Sequence, residues 1–165
     1  MRKIQAVLLG IAICFCVTEG LAEPMTLDVV LSPKDQIRLD FKDDDKHFVV
    51  LTQREGSAEA GGAFSGAKVV EYGLHDVIRG DGGNAHGYLE VTTSEGDVAY
   101  FKWQLRALFV AGPDGNVKVV DKGHWELTGG TGQFASMRGV GSLLLEFVNE
   151  TDRRYLLEGD ISPKL

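Results

Sequence analysis

Between Gly87 and Ala107 two strand-like segments, Gly87 to Thr93 and Asp97 to Ala107, are joined by Ser94, Glu95 and Gly96, and their side chains alternate with period two. One set is apolar: Leu89 and Val91 with Ala99, Phe101, Trp103 and Leu105. The other is polar and aromatic: His86, Tyr88 and Glu90 with Tyr100, Lys102, Gln104 and Arg106. An imidazole, phenols, a carboxylate and two cations on one face could move protons or orient an anion, provided that face lines a cavity. The competing reading makes the apolar face the core and turns the polar face to solvent, which composition alone favours. His86, Tyr88, Glu90 and Tyr100 are therefore the candidate ligand contacts. Trp103 and Trp125 join them as candidate cavity-wall aromatics, core packing being the expectation for each ahead of a sugar-stacking platform.

The remaining constellations carry less. His47, His75, His86 and His124 stand at none of the short spacings of a metal site, and no metal or cofactor is expected. Gly130-Thr131-Gly132-Gln133-Phe134-Ala135 has the form G-x-G-x-x-A, but a dinucleotide site needs that motif to open a helix, and Gly139 and Gly141 follow too soon to leave room. No G-x-S-x-G elbow is present, and Ser136 has no base beside it. The acidic triplet Asp43 to Asp45 lacks calcium-loop spacing and reads as a hairpin tip.

The elements that must position these residues are strands. Met25 to Leu31, Asp35 to Phe41, His47 to Arg54 and Lys68 to Arg79 precede the hairpin, with Val70, Tyr72, Leu74 and Ile78 on one face of the last. Val117 to Asp121, Gly123 to Thr128, Val140 to Val148 and Arg154 to Ile161 follow it. Gly129, Gly130, Gly132 and Gly139 form a glycine corner where the chain can reverse, with at most one helical turn from Phe134 to Arg138. Residues 55–66 read as a mobile loop. Roughly eight to ten short strands with regular turn signals predict an all-β sandwich or barrel, and closure favours the barrel because it removes exposed edges.

Composition bounds the class. Arg2 and Lys3, an apolar run from Ile4 to Val17 and the small-residue site at Gly20 to Ala22 describe a cleaved secretory leader over residues 1–22, a retained anchor being the alternative. Residues 23–165 then form one domain without cysteine, since Cys14 and Cys16 both lie in the leader. Secretion or periplasmic export is the expected localisation, with no membrane span once the leader is removed. The formal net charge of −7 becomes more negative by one unit without Arg2, Lys3 and Glu19, which argues against nucleic acid as a partner.

The block from Gly123 to Gly141, GHWELTGGTGQFASMRGVG, resembles the GGTG corner of the allene oxide cyclase and dirigent barrel group. His86-Gly87-Tyr88, Glu95-Gly96-Asp97 and Leu157-Glu158-Gly159-Asp160 are similar to segments of small secreted bacterial members of that barrel type. The resemblance covers about half the chain, from near Gly80 to Ile161. It implies an all-β fold with a single antiparallel eight-stranded β-barrel of the allene oxide cyclase, calycin type, often a homo-oligomer, with an apolar cavity and neither metal nor organic cofactor. No catalytic position of the characterised branches maps onto this chain. Three readings follow: a barrel holding a small apolar, lipid-like ligand; a cofactor-independent cyclase or isomerase acting on a hydrophobic substrate; and an envelope interaction protein without a small ligand.

Overall fold

The computed structural model describes residues 21–43, 46–59 and 62–164. The expected leader lies outside them apart from Leu21 and Ala22. Eight strands form the chain: β1 (Glu23–Asp40), β2 (His47–Ser57), β3 (Lys68–Ile78), β4 (Gly82–Thr92), β5 (Val98–Ala111), β6 (Val117–Gly130), β7 (Met137–Phe147) and β8 (Arg153–Pro163). Each pairs antiparallel with its neighbour in sequence, and β1 pairs with β8 from Glu23↔Ile161 to Leu31↔Arg153, closing the barrel.

The eight strands observed lie within the expected eight to ten, and the ten segments read as strands reduce to eight because two pairs are continuous. β1 runs through Ser32 and Pro33 with a register shift between Pro33 and Asp35. Proline cannot donate to a ladder, and it is tolerated here because pairing to β8 has already stopped at Leu31. Val117 to Asp121 and Gly123 to Thr128 likewise join into β6, Lys122 pairing with Arg106.

The two ends of the barrel differ. At the base, the described parts of the segment expected to be a mobile loop, 55–59 and 62–66, are ordered against the barrel, and residues 60 and 61 lie outside the described residues. β2 continues to Ser57, and the 3₁₀ turn Gly62–Phe64 places Phe64 in the core, 1% exposed. Phe64 stacks on Phe134 at 5.3 Å between ring centroids and meets Phe101 edge-on at 5.5 Å. An aromatic plug thus closes the base, its apolar surface outweighing the polar flanks that made the segment look slack. Phe134 arrives through the glycine corner: Gly129 (φ +145°) and Gly132 (φ +50°) take backbone angles open mainly to glycine, and a 3₁₀ turn spans Gly132–Phe134. That turn precedes the expected Phe134 to Arg138, where strand β7 has already begun. Thr131 Oγ1 accepts from the Val98 amide at 2.9 Å and Asp97 Oδ2 from the Gln133 amide at 3.1 Å, so the corner is tied to the β4–β5 turn.

Above the plug the barrel is filled by Leu27, Leu89, Trp103, Trp125, Leu127, Leu143, Tyr155 and Leu157, all buried. Trp103 and Trp125 sit opposite each other on β5 and β6. A Cβ on either Gly141 or Gly159 would come within 2.7 Å of the Trp125 ring, so these paired glycines leave the space the indole fills. Small residues opposite large ones are the usual way a narrow barrel accommodates its interior.

At the other end the strands do not finish together. β5 and β6 remain paired to Ala111↔Val117, whereas β6 and β7 part after Lys122↔Leu144. The β5–β6 hairpin therefore stands beyond the body of the barrel, as does the β1–β2 hairpin, whose Ile37, Leu39 and Phe41 are exposed. Between them lies an open mouth.

Candidate functional site

The mouth leads into a cavity of about 240 Å³. Its walls are apolar: Phe48 and Val50 of β2, Val77 of β3, Ala107 and Phe109 of β5, Val119 of β6, and Leu145 and Phe147 of β7. Its titratable groups are Arg54, His75, Asp121 and Arg153, one each from β2, β3, β6 and β8, and Asn84 of β4 lines it as well. Alternation explains how they arrive. In β3 the buried positions are Val69, Glu71 and Gly73, with His75 and Val77 continuing the same side, while Tyr72 and Ile78 are exposed. The face expected to carry the strand's apolar side chains, Val70, Tyr72, Leu74 and Ile78, is thus the outer one. The inner face gives up hydrophobicity at its centre to build a polar floor.

Glu71 anchors that floor. It is fully buried, yet both oxygens are satisfied: Arg54 Nη1 donates to Oε2 at 2.8 Å, the Tyr155 hydroxyl donates to Oε1 at 2.7 Å, and His75 Nε2 lies 3.3 Å from Oε1. Burial alone would push the Glu71 carboxyl up; the hydrogen bonds of His75 and Arg54 and the positive charge of Arg54 outweigh it and hold the group below its ordinary value. Tyr155, buried and beside that carboxylate, is pushed well above the ordinary phenol range and stays protonated. Its ring packs edge-on against Trp103 at 5.8 Å, and His75 lies 5.9 Å from the same indole.

Asp121 differs from Glu71 in having no such donors. It is 6% exposed, and Oδ1 has no hydrogen-bond partner among the described residues. Burial raises its carboxyl to about 6, with His75 and Arg153 only partly offsetting the effect. Arg54 Nε, Thr52 Oγ1 and Trp103 Nε1 are also buried without a partner among the described residues. Arg153 is fixed differently: Nη1 donates to the Asn149 carbonyl at 3.0 Å and the Asp152 carbonyl at 2.9 Å, and the guanidinium lies 4.0 Å from the Phe147 ring centre.

A stability signature follows from Asp121. Its ionisation costs nothing below about pH 4, where the group is protonated folded or unfolded; the cost grows as pH rises toward 6 and is constant above. Asp121→Asn is therefore expected to stabilise the protein by about 1–3 kcal/mol at pH 8 and to change little at pH 4. Urea titrations at the two pH values measure the difference, and an equal effect at both would refute it.

Of the six residues singled out as ligand contacts, the structure separates four from two. His86, Tyr88, Glu90 and Tyr100 point outward, Tyr88 and Tyr100 being 49% and 39% exposed, so the polar face of the hairpin does not line the cavity. The physical reason is the one that composition favoured: Leu89, Val91, Phe101 and Trp103 bury far more apolar surface. His86 borders a shallow outer groove with Gln104, Arg106, Lys122 and His124. Trp125 is core, and Trp103 lies against His75 and Tyr155 of the floor. Arg54, Glu71, His75, Asp121, Arg153 and Tyr155 were not singled out by sequence reasoning. One signal was present: Glu71 and His75 share the face of Val69 and Val77, whose β-branched side chains flank them.

No protein-family model and no curated protein matches the sequence. Among solved structures, the pterocarpan synthase dirigent protein GePTS1 superposes with a TM-score of 0.52 at 12% identity, covering 100% of this chain and 98% of its own. A second pterocarpan synthase dirigent protein, PsPTS1, gives 0.52 at 12% identity over 87% and 97% of the two chains. A β-barrel-like protein from Acinetobacter baumannii AYE gives 0.53 at 13% identity over 88% and 99%. Identity this low speaks for the shared fold and not for shared activity. Closed, antiparallel and matched over nearly its whole length by these structures, the chain is by fold a dirigent-like eight-stranded β-barrel.

Proposed function

We propose that the barrel binds a compact, predominantly apolar molecule in its mouth, with the molecule's polar end on the ionic floor and its body between the two projecting hairpins. One observation carries the reading: apolar walls enclose a floor where Arg54 Nε and Asp121 Oδ1 are buried without a hydrogen-bond partner among the described residues. An unmet buried polar atom costs about 1–3 kcal/mol, and a ligand that meets it recovers that cost. The cavity, about 240 Å³, falls just below the usual range of about 300–1,000 Å³ for small-molecule sites, so a lipid-like ligand would leave part of its chain among Phe109, Val119 and Phe147 at the rim.

Native mass spectrometry of the chain tests this together with Ala107→Phe, which puts a phenyl ring into the cavity. The expected result is a reproducible small-molecule adduct on the wild type, or uptake of an added hydrophobic probe, reduced at least tenfold in Ala107→Phe at unchanged circular dichroism. Equal uptake by both proteins would sink the proposal.

A second reading, a cofactor-independent cyclase or isomerase, is favoured by Asp121. A carboxyl with a value near 6 in an apolar enclosure can hold or release a proton at neutral pH, and a rigid barrel can fold a flexible substrate toward reaction. Two of the matched structures are named as pterocarpan synthase dirigent proteins, which lends this reading a precedent in the fold. It requires Asp121→Asn to abolish turnover while leaving affinity in place; the binding reading predicts no product from either form.

A further inference from the structure

The cavity reading leaves the chemistry of the bound molecule open, and the charges on the floor narrow it. Arg54 and Arg153 bring two guanidinium groups to one enclosure, close enough that burial first, and then the charge of Arg54, depress Arg153 below the ordinary arginine value. The carboxylates that answer them are Glu71 beside Arg54, and Asp121 and Asp152 beside Arg153. Glu71 is fully engaged by Arg54, Tyr155 and His75. Asp121 is nine-tenths buried, and its Oδ1 meets no donor among the described residues. The titratable groups that act on Asp121 are His75 of β3 and Arg153 and Tyr155 of β8, and Arg54 of β2 lines the same cavity. From β5 and β7 only the apolar Leu105, Ala107, Phe109, Leu145 and Phe147 reach the same cavity. Among the described residues lining the cavity, Arg54 Nε is therefore an unmet donor and Asp121 Oδ1 an unmet acceptor, with two guanidinium groups beside them.

Resting on the proposed binding function, we propose that the molecule is a compact organic acid whose carboxylate accepts a hydrogen bond from Arg54 Nε on one oxygen and from a protonated Asp121 on the other, so that one proton enters from solvent as the ligand binds. Two carboxylates in contact cannot both stay ionised; they share a proton, and the one already held in an apolar wall takes it. An alcohol of the same body could bridge the two unmet atoms, but its neutral oxygen would accept more weakly from a guanidinium than the charge-assisted hydrogen bond of a carboxylate. An amine would pair with Asp121 only by entering between two guanidiniums.

Isothermal titration of the chain with benzoate, benzyl alcohol and benzylamine, three probes of one body and different charge, tests the class. Each titration is run from pH 5 to 8 in two buffers of different ionisation enthalpy. Benzoate is expected to bind at least tenfold more tightly than benzyl alcohol, and benzylamine not measurably. Benzoate affinity should fall with pH, approaching tenfold per unit above about pH 6, with close to one proton taken up per ligand at pH 8. Asp121→Asn, which keeps the shape and can donate from its amide, should bind benzoate with no pH dependence and no proton uptake. Arg54→Lys, which keeps the charge opposite Glu71 but lacks Nε, should lose about tenfold in benzoate affinity while remaining folded. Tighter binding of the amine, or benzoate affinity that is flat or rising with pH in the wild type, overturns the assignment of an acid. If the three probes bind alike and Ala107→Phe abolishes all of them, the acid falls and the cavity stands. If none binds the wild type, both readings fall together.

Discussion

Glu71→Gln is expected to destabilise the protein by about 3–5 kcal/mol, the largest loss from any single isosteric change in the barrel. The substitution removes the charge opposite Arg54 and turns one end of the side chain into a donor that faces other donors, Tyr155 hydroxyl or Arg54 Nη1. At 0% exposure, water cannot replace the lost acceptor. In urea the midpoint should fall by roughly 2 M for a slope of 1–3 kcal/mol/M. The double variant Arg54→Met with Glu71→Gln should cost less than the two singles added, since removing both charges leaves neither unpaired. The acid limb should change as well. Glu71 is held below its ordinary value, so its stabilisation is present at neutral pH and is lost as pH falls through the depressed value. The glutamine variant lacks that loss, and its stability should depend less on pH in acid. A Glu71→Gln cost below about 1 kcal/mol would show that the ionic floor is not a structural element of the barrel.

Phe64→Ala is the second large effect, at about 3–5 kcal/mol. Phe64 is 1% exposed and held between Phe101 and Phe134, so truncation removes the centre of the plug and leaves the two remaining rings facing a void. The surrounding turn cannot collapse freely to fill it. Gly130 already lies so close that a Cβ there would come within 2.7 Å of Phe134 Cβ, and the corner is fixed by Asp97 and Thr131. A hydrophobic dye should bind the variant at the base while the mouth cavity stays unchanged. Were the segment from residue 55 to 66 only a slack loop, chemical denaturation would find the variant within about 1 kcal/mol of the wild type, against the cost of a vacated core site.

The architecture was legible where local chemistry and barrel packing agree. The turns around Ser94 to Gly96 and Gly112 to Asn116, the alternation of Leu89 to Leu105 and the glycine corner all lead to the observed antiparallel strands and reversal. The expected break at Pro33 is a register shift instead, because the missing amide falls where β1 has no β8 partner. The site was hidden by the logic that revealed the fold. Alternation assigns the apolar face of a strand to the interior, whereas β3 carries Tyr72 and Ile78 outward and Glu71 and His75 inward. Only pairing partners from distant strands make that economical: Arg54 is 17 residues from Glu71 and Tyr155 is 84. Such partners leave no spacing in sequence, and Asp121, with no partner for Oδ1 among the described residues, leaves still less.

The aromatic plug also sets which way the molecule faces. Glu23 pairs with Ile161, so the start of β1 and the end of β8 leave the barrel side by side at the closed base, while every turn around the mouth lies at the opposite pole. Whatever is joined directly before β1 or after β8, whether a tether, a tag or a solid support, is attached behind the vessel. Immobilised at either of these points, the protein should hold its opening toward the bulk solution, and a molecule entering or leaving need not pass the attachment.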